Sequence, residues 1–342
     1  MSFMNRFKLP IFLFLIISLL APMLSVEAQN RWSRRVKEIY YPSAADNSQQ
    51  PALVYAPKSD SKRPLLVALH TWSNDFLQEG GQPLFGEWCR QNDWFLIHPN
   101  FRGKNRTPKA LGSDLAVGDI VSAVEYMVKT YNVDEDRIYL TGTSGGGHMS
   151  LLMAGRHPEI WAGVSAWCPI TDVQTWYEQK SGDKKNKRYA TEIEKALGGR
   201  PGIDEEATEQ ARYRSPLTYL SRAGDVNLDI NHGIEDGRKG SVPFTHSLLA
   251  FNRVVSGKHA ISEEDIDSFY ATQTPPANGS GDLRDSVYGS RKPLFRKTAD
   301  NTRITIFKGG HEIVHEASLN WLRLQRKGQA PVWEVNEIIK ID

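Results

Sequence analysis

Tyr139-Leu140-Thr141-Gly142-Thr143-Ser144-Gly145-Gly146-Gly147-His148 reads as a strand, then the spacing G-x-S-x-G, then the first turn of a helix. A nucleophilic serine needs its oxygen clear of the backbone and close to a helix start. A tight strand-to-helix turn achieves this, but it strains the serine backbone and crowds its neighbours. The glycines two before and two after Ser144 provide the room. The N–H of Gly145, at the helix N-terminus, is placed to point at a developing oxyanion. The strand before and the helix after lift the motif above an ordinary Gly-rich turn. His148, on the same helix, is expected to be packed rather than reactive.

Outward from this turn the chain alternates strand-like and helix-like patterns, which argues for an α/β fold with a mainly parallel sheet. Strands are predicted at Val36–Tyr41, Ala52–Ala56, Leu65–Leu69, Trp94–His98, Arg137–Thr141, Ala162–Trp167, Val226–Asn231 and Arg303–Phe307. That makes a sheet of about eight strands. Helices are predicted near Phe85–Gln91, through Ile120, Ala123, Val124, Met127 and Val128, and at Gly145–Arg156, Thr245–Val254 and Val314–Gln325. Two polar stretches, 172–225 and 256–301, read as insertions into one domain. The second carries Thr274-Pro275-Pro276 and Asn278-Gly279-Ser280-Gly281, which are turn material.

A serine hydroxyl is a poor nucleophile until a base takes its proton, and a carboxylate then holds the imidazole's tautomer. Both slots are filled after late strands. Leu228-Asp229-Ile230-Asn231-His232-Gly233-Ile234-Glu235-Asp236 puts acids past a strand. Ile304-Thr305-Ile306-Phe307-Lys308-Gly309-Gly310-His311 puts a histidine past the final one. The order Ser, acid, His is the one this architecture uses.

These residues resemble the α/β-hydrolase superfamily. Within it, the chain is similar to the catalytic domain of prolyl-oligopeptidase-like proteins and to secreted feruloyl and acetyl esterases. The likeness covers Leu65–Gln325 and rests on G-T-S-G-G, on the H-G-x-x-D loop followed by Val242-Pro243, and on the G-G-H loop. It implies an α/β-hydrolase fold with Ser144 as nucleophile, Asp236 as acid and His311 as base. Glu235 is the rival acid, and His232 would be a structural strand-end residue. Two departures matter. The oligopeptidases carry a β-propeller, and with about sixty residues before the first hydrolase strands none is expected here. Many relatives also follow the third strand with His-Gly, where this chain has His70-Thr71-Trp72. The second oxyanion donor, beside Gly145, is then the backbone N–H of Thr71 or Trp72.

His311-Glu312-Ile313-Val314-His315 also spells H-E-x-x-H, a zinc-hydrolase signature that needs both histidines on one helix face and a third ligand such as Glu334 or Glu337. Gly309-Gly310 directly before His311 argue for a loop there instead. Asp225-x-Asn227-x-Asp229-x-Asn231 begins like a calcium loop but has Ile230 where glycine is needed. The triad reading calls for no metal and no cofactor. By position on loops, Asn100, Arg102 and Trp176 are candidates for substrate contact: Trp176 for stacking, Arg102 for a carboxylate. The run Lys184–Arg188 reads as a solvated face. The expected activity is hydrolysis of acyl or aryl esters of polysaccharides, with oligopeptidase-type peptide cleavage as the alternative.

Composition fits this reading. The chain has 342 residues, 40% hydrophobic and 24% charged, with 42 basic and 40 acidic side chains for a net charge of +2. Such balance excludes a nucleic-acid binder. Arg6 and Lys8 precede the apolar run Ile11–Leu20, which is too short to span a bilayer, and Val26-Glu27-Ala28 supplies a cleavage site. Residues 1–28 are therefore expected to be a signal peptide and 29–342 the catalytic domain. Export to the periplasm or medium follows, with no stable membrane anchor after cleavage. Cys89 and Cys168 are the only cysteines, and their spacing leaves a bridge open.

Overall fold

The computed structural model describes residues 31–341 except 256 and 280–282. The expected signal peptide lies outside the described residues. Nine strands form one sheet: β1 (Lys37–Pro42), β2 (Gln49–Tyr55), β3 (Arg63–Leu69), β4 (Phe95–Pro99), β5 (Val133–Thr143), β6 (Gly163–Trp167), β7 (Leu228–Gly233), β8 (Pro293–Ala299) and β9 (Thr302–Phe307), in the order β1-β2-β4-β3-β5-β6-β7-β9-β8. From β4 to β9 all neighbours run parallel, with β1, β2 and β8 antiparallel at the edges. This is an α/β-hydrolase fold.

The central strands are apolar on both faces because helices cover both. Leu65, Val67, Ile97, Ile138 and Leu140 point into one core, whereas Leu66, Ala68, Leu96 and Tyr139 point into the other. That is the two-residue period of a strand expressed as two packed layers. The helices α1 (Pro83–Gln91), α2 (Asp114–Thr130) and α3 (Gly145–Arg156) follow β3, β4 and β5. Residues of α2 and α3 pack into the first core and residues of α1 into the second. Ser113 caps α2 by accepting from the Ala116 N–H.

Two stretches depart from the sequence reading. The first polar insertion contains three helices, α4 (Val173–Ser181), α5 (Lys187–Leu197) and α6 (Glu205–Tyr213). They enclose a core of their own with Trp176, Ile193 and Ala211, and Trp72 of the main domain inserts into it. The second insertion follows α7 (Thr245–Val254) and holds α8 (Glu263–Thr272) and the unforeseen ninth strand, β8. β8 is an edge strand, where Pro293 costs no ladder bond and charged Arg296 and Lys297 are tolerated. The final helix is α9 (His315–Leu322), which packs in the second core.

Candidate active site

The segments after β3, β5, β7 and β9 meet at the carboxyl ends of the parallel strands, where open α/β sheets bind ligands. Ser144 sits in the turn between β5 and α3 with φ 61° and ψ −117°, a strained conformation for a residue with a side chain. The surroundings hold it there. Its N–H donates to the Trp167 carbonyl at 2.9 Å, and its carbonyl accepts from the His148 N–H at 2.8 Å. The need for glycine is steric: a Cβ on Gly142 would lie 2.5 Å from the Gly146 carbonyl carbon. His148 is fully buried, and its Nδ1 is 3.0 Å from the Ile170 carbonyl oxygen.

Asp236 and His311 meet directly. Nδ1 of His311 lies 2.5 Å from Oδ2 of Asp236. Oδ1 of Asp236 accepts from the N–H groups of Gly237 (2.9 Å) and Val242 (3.1 Å). Burial opposes ionisation of Asp236. Hydrogen bonds from His232 and His311 outweigh it and hold the carboxyl well below the usual carboxylate range. The rival Glu235 is part-exposed and paired with Lys239 at 2.9 Å. Nε2 of His311 is 3.5 Å from the Ser241 hydroxyl. Ser144 lines the same cavity as His311, of about 450 Å³, with no direct hydrogen bond between the two. Such contacts commonly tighten only when substrate is bound.

The segment after β3 closes the other side. The Thr71 N–H donates to Oε1 of Gln78 at 2.8 Å, which removes it as an oxyanion donor. The N–H groups of Trp72 and Gly145 have no acceptor among the described residues. They are close together: a Cβ on Gly145 would lie 2.6 Å from the Trp72 nitrogen. The Trp72 carbonyl accepts from the Asn105 N–H at 3.0 Å, and Oδ1 of Asn105 accepts from the Leu111 N–H at 2.9 Å. Asn105 thereby holds the Trp72 segment that follows β3, a role without a sequence signal.

The three expected substrate contacts lie elsewhere. After β4 the backbone turns through positive φ at Phe101 (30°) and Arg102 (72°). Arg102 is thereby aimed at Asp119 (2.7 Å) and Asp46 (2.8 Å), away from the cavity. The Asn100 carbonyl lies 2.8 Å from Nε2 of the buried His70. Trp176 is buried, donates to the Ser241 carbonyl at 2.9 Å and packs edge-on to Trp72. The residues that do line the cavity include Ser73, Asn74, Gln78, Arg188, Tyr189 and His315. Lys184, Lys185, Lys187 and Arg188 are all exposed, as expected of a solvated run, and Arg188 also lines the cavity at its rim.

The zinc reading is not assembled. His311 lies outside α9 while His315 is its first residue, and Glu312 pairs with Arg291 at 2.9 Å. Cys89 and Cys168 are buried and unbridged.

The chain matches the prolyl oligopeptidase family over residues 91–267, more than half its length, and belongs to that family of serine hydrolases. The matched stretch contains Ser144 and Asp236, and His311 lies beyond it. An acetylxylan esterase of Coprinopsis cinerea is 31% identical over 132 residues, 34% of this chain and 35% of the relative. A feruloyl esterase B of Talaromyces funiculosus is 29% identical over 125 residues, 33% and 35% of the two chains. The acylamino-acid-releasing enzyme of Mus musculus is 25% identical over 170 residues, 44% of this chain and 21% of that one. This chain thus spans about a third, or less, of the length of these relatives. The solved acylaminoacyl peptidase of Pyrococcus horikoshii superposes with a TM-score of 0.59 at 15% identity, covering 92% of this chain and 45% of that one.

Proposed function

We propose that the protein is an exported carboxylic ester hydrolase that cleaves acyl or aryl esters of polysaccharides through an acyl-enzyme on Ser144. The observation that carries this is the 2.5 Å contact of His311 Nδ1 with Asp236, made beside the cavity that Ser144 lines. His311 Nε2 takes the Ser144 proton as Oγ bonds to the ester carbonyl carbon. The oxyanion is held by the N–H groups of Gly145 and Trp72. Collapse breaks the C–O bond, and the imidazolium returns its proton to the leaving alcohol. Water then repeats the sequence on the acyl group, releasing acid and free Ser144.

The acetylxylan and feruloyl esterase relatives support the ester. The likeness to the acylamino-acid-releasing enzyme favours a second reading, peptide cleavage by the same residues. Parallel turnover of p-nitrophenyl acetate and an aminoacyl p-nitroanilide separates them. The ester is expected to be cleaved and the anilide not, and the reverse overturns the ester reading. A fluorophosphonate should label Ser144, and Ser144→Ala should lower kcat at least about ten-thousandfold with the fold intact. Retained activity in that variant, or inhibition by a chelator alone, would sink the mechanism. The leader at residues 1–28 supports export, tested by whether the exported chain begins at Gln29.

A further inference from the structure

The cavity beside Ser144 has an uneven charge lining. Arg188, at the start of α5, stands over the Tyr189 ring, 4.7 Å from guanidinium carbon to ring centroid, and donates to the Tyr189 hydroxyl at 3.0 Å. Among the described residues no carboxylate lies within ion-pair distance of Arg188, and Glu192 acts on it only at longer range. Glu192, one turn along α5, accepts from the Trp72 indole N–H at 2.7 Å. Glu312 is the only acid lining the cavity among the described residues. It is committed to Arg291 and accepts from the Gly310 N–H at 3.1 Å. The wall therefore offers one cation without a direct ion pair and no uncommitted anion. Stacking on Tyr189 pre-orients the guanidinium fork, which matches a carboxylate. Exposed Lys184, Lys185 and Lys187 add positive potential beside it.

Three residues of the lining, Ser73, Thr143 and His315, also carry an enclosed side-chain atom with no hydrogen-bond partner of its own.

We propose that Arg188 forms a carboxylate subsite of this cavity, so that the preferred substrate is an ester bearing an anionic group, such as a uronate-containing glycan. This rests on the esterase reading, deepens it, and leaves two possible places for the carboxylate, the alcohol side or the acyl side. Two matched pairs distinguish them: 4-acetoxybenzoate against phenyl acetate, and p-nitrophenyl hemisuccinate against p-nitrophenyl acetate. In one pair Arg188→Gln should lower the charged-to-neutral ratio of kcat/KM about 10- to 100-fold, the range for a charge-assisted hydrogen bond. Arg188→Lys should restore part of it, and added salt should lower the wild-type ratio. Unchanged ratios in both pairs overturn the subsite. Binding is read apart from turnover by calorimetric titration of glucuronate against glucose. Glucuronate should bind more tightly to the wild-type protein and lose that advantage in Arg188→Gln, and equal binding of the two sugars also overturns the subsite. Absence of turnover on all four esters with the glucuronate preference intact would instead overturn the esterase reading alone.

Discussion

Nε2 of His232 lies 2.9 Å from Oδ2 of Asp236, the same oxygen that His311 approaches from the other side. It is also 3.0 Å from the Val242 carbonyl, so Nε2 faces two acceptors and carries the hydrogen. Its other nitrogen is 2.7 Å from the Ser247 hydroxyl. His232 is a positioning residue: it fixes the carboxylate that fixes His311. His232→Leu should lower kcat about tenfold with KM little changed, and reduce stability by about 1–3 kcal/mol. His232→Gln, which keeps a donor, should recover part of kcat. Steady-state kinetics and urea unfolding of both variants check this, and equal loss in the two would mean packing alone.

Asp236 and its neighbour Glu235 face opposite environments, one buried among donors and the other part-exposed beside Lys239. Asp236→Asn should cut kcat by about ten-thousandfold, through loss of the correct imidazole tautomer. Glu235→Gln should change it less than about twofold, as expected of a surface ion pair. Kinetics of the two single variants decide the matter.

Acid should destabilise the fold well before carboxylates titrate. Burial lowers His98 to about 3, His148 to about 4 and His246 to about 3. Their folded values lie below the unfolded one near 6.5, so each contributes fully above about pH 6.5 and loses that contribution as pH falls toward 4. Each therefore weakens the fold progressively as pH falls through that window. Asp236 adds its share only below about pH 4, since its folded value is depressed. Thermal melts from pH 7.5 to 4 should show Tm falling from about pH 6.5 downward. A flat profile to pH 4.5 would contradict it.

Arg102 bridges Asp119, which is fully buried, and Asp46. Arg102→Met should cost about 3–5 kcal/mol, because it leaves the Asp119 carboxylate without its cation. The kcat/KM of folded protein should stay near the wild-type value, since Arg102 lies away from the cavity. Urea unfolding and ester kinetics measured together test both halves.

The strand-turn-helix around Ser144 was legible because its constraint is local: five residues carry the steric demand and the reason for it. The central strands were legible because burial on both faces leaves unbroken apolar runs. β8 was not, since an edge strand is half-solvated and its charges mask the alternation. Asn100 and Arg102 were misplaced because the chain is redirected through positive φ already at Phe101 and Arg102, before the glycine of that turn, Gly103. Thr71 and Trp72 were indistinguishable until the Gln78 side chain was seen on one N–H and not the other. Arg188 is exposed like the lysines of its run, and nothing in its spacing reveals that it stands over Tyr189 at the rim of the cavity.

Trp72 serves two masters. Its main chain borders the cavity that Ser144 lines, while its indole is clamped by Glu192, Trp176 and Tyr189 of the helical insertion. The cap is consequently no interchangeable module. A transplant that swapped those helices to retune selectivity would loosen the main-chain donor at the same stroke, so recognition and turnover in this protein must be re-engineered as a unit.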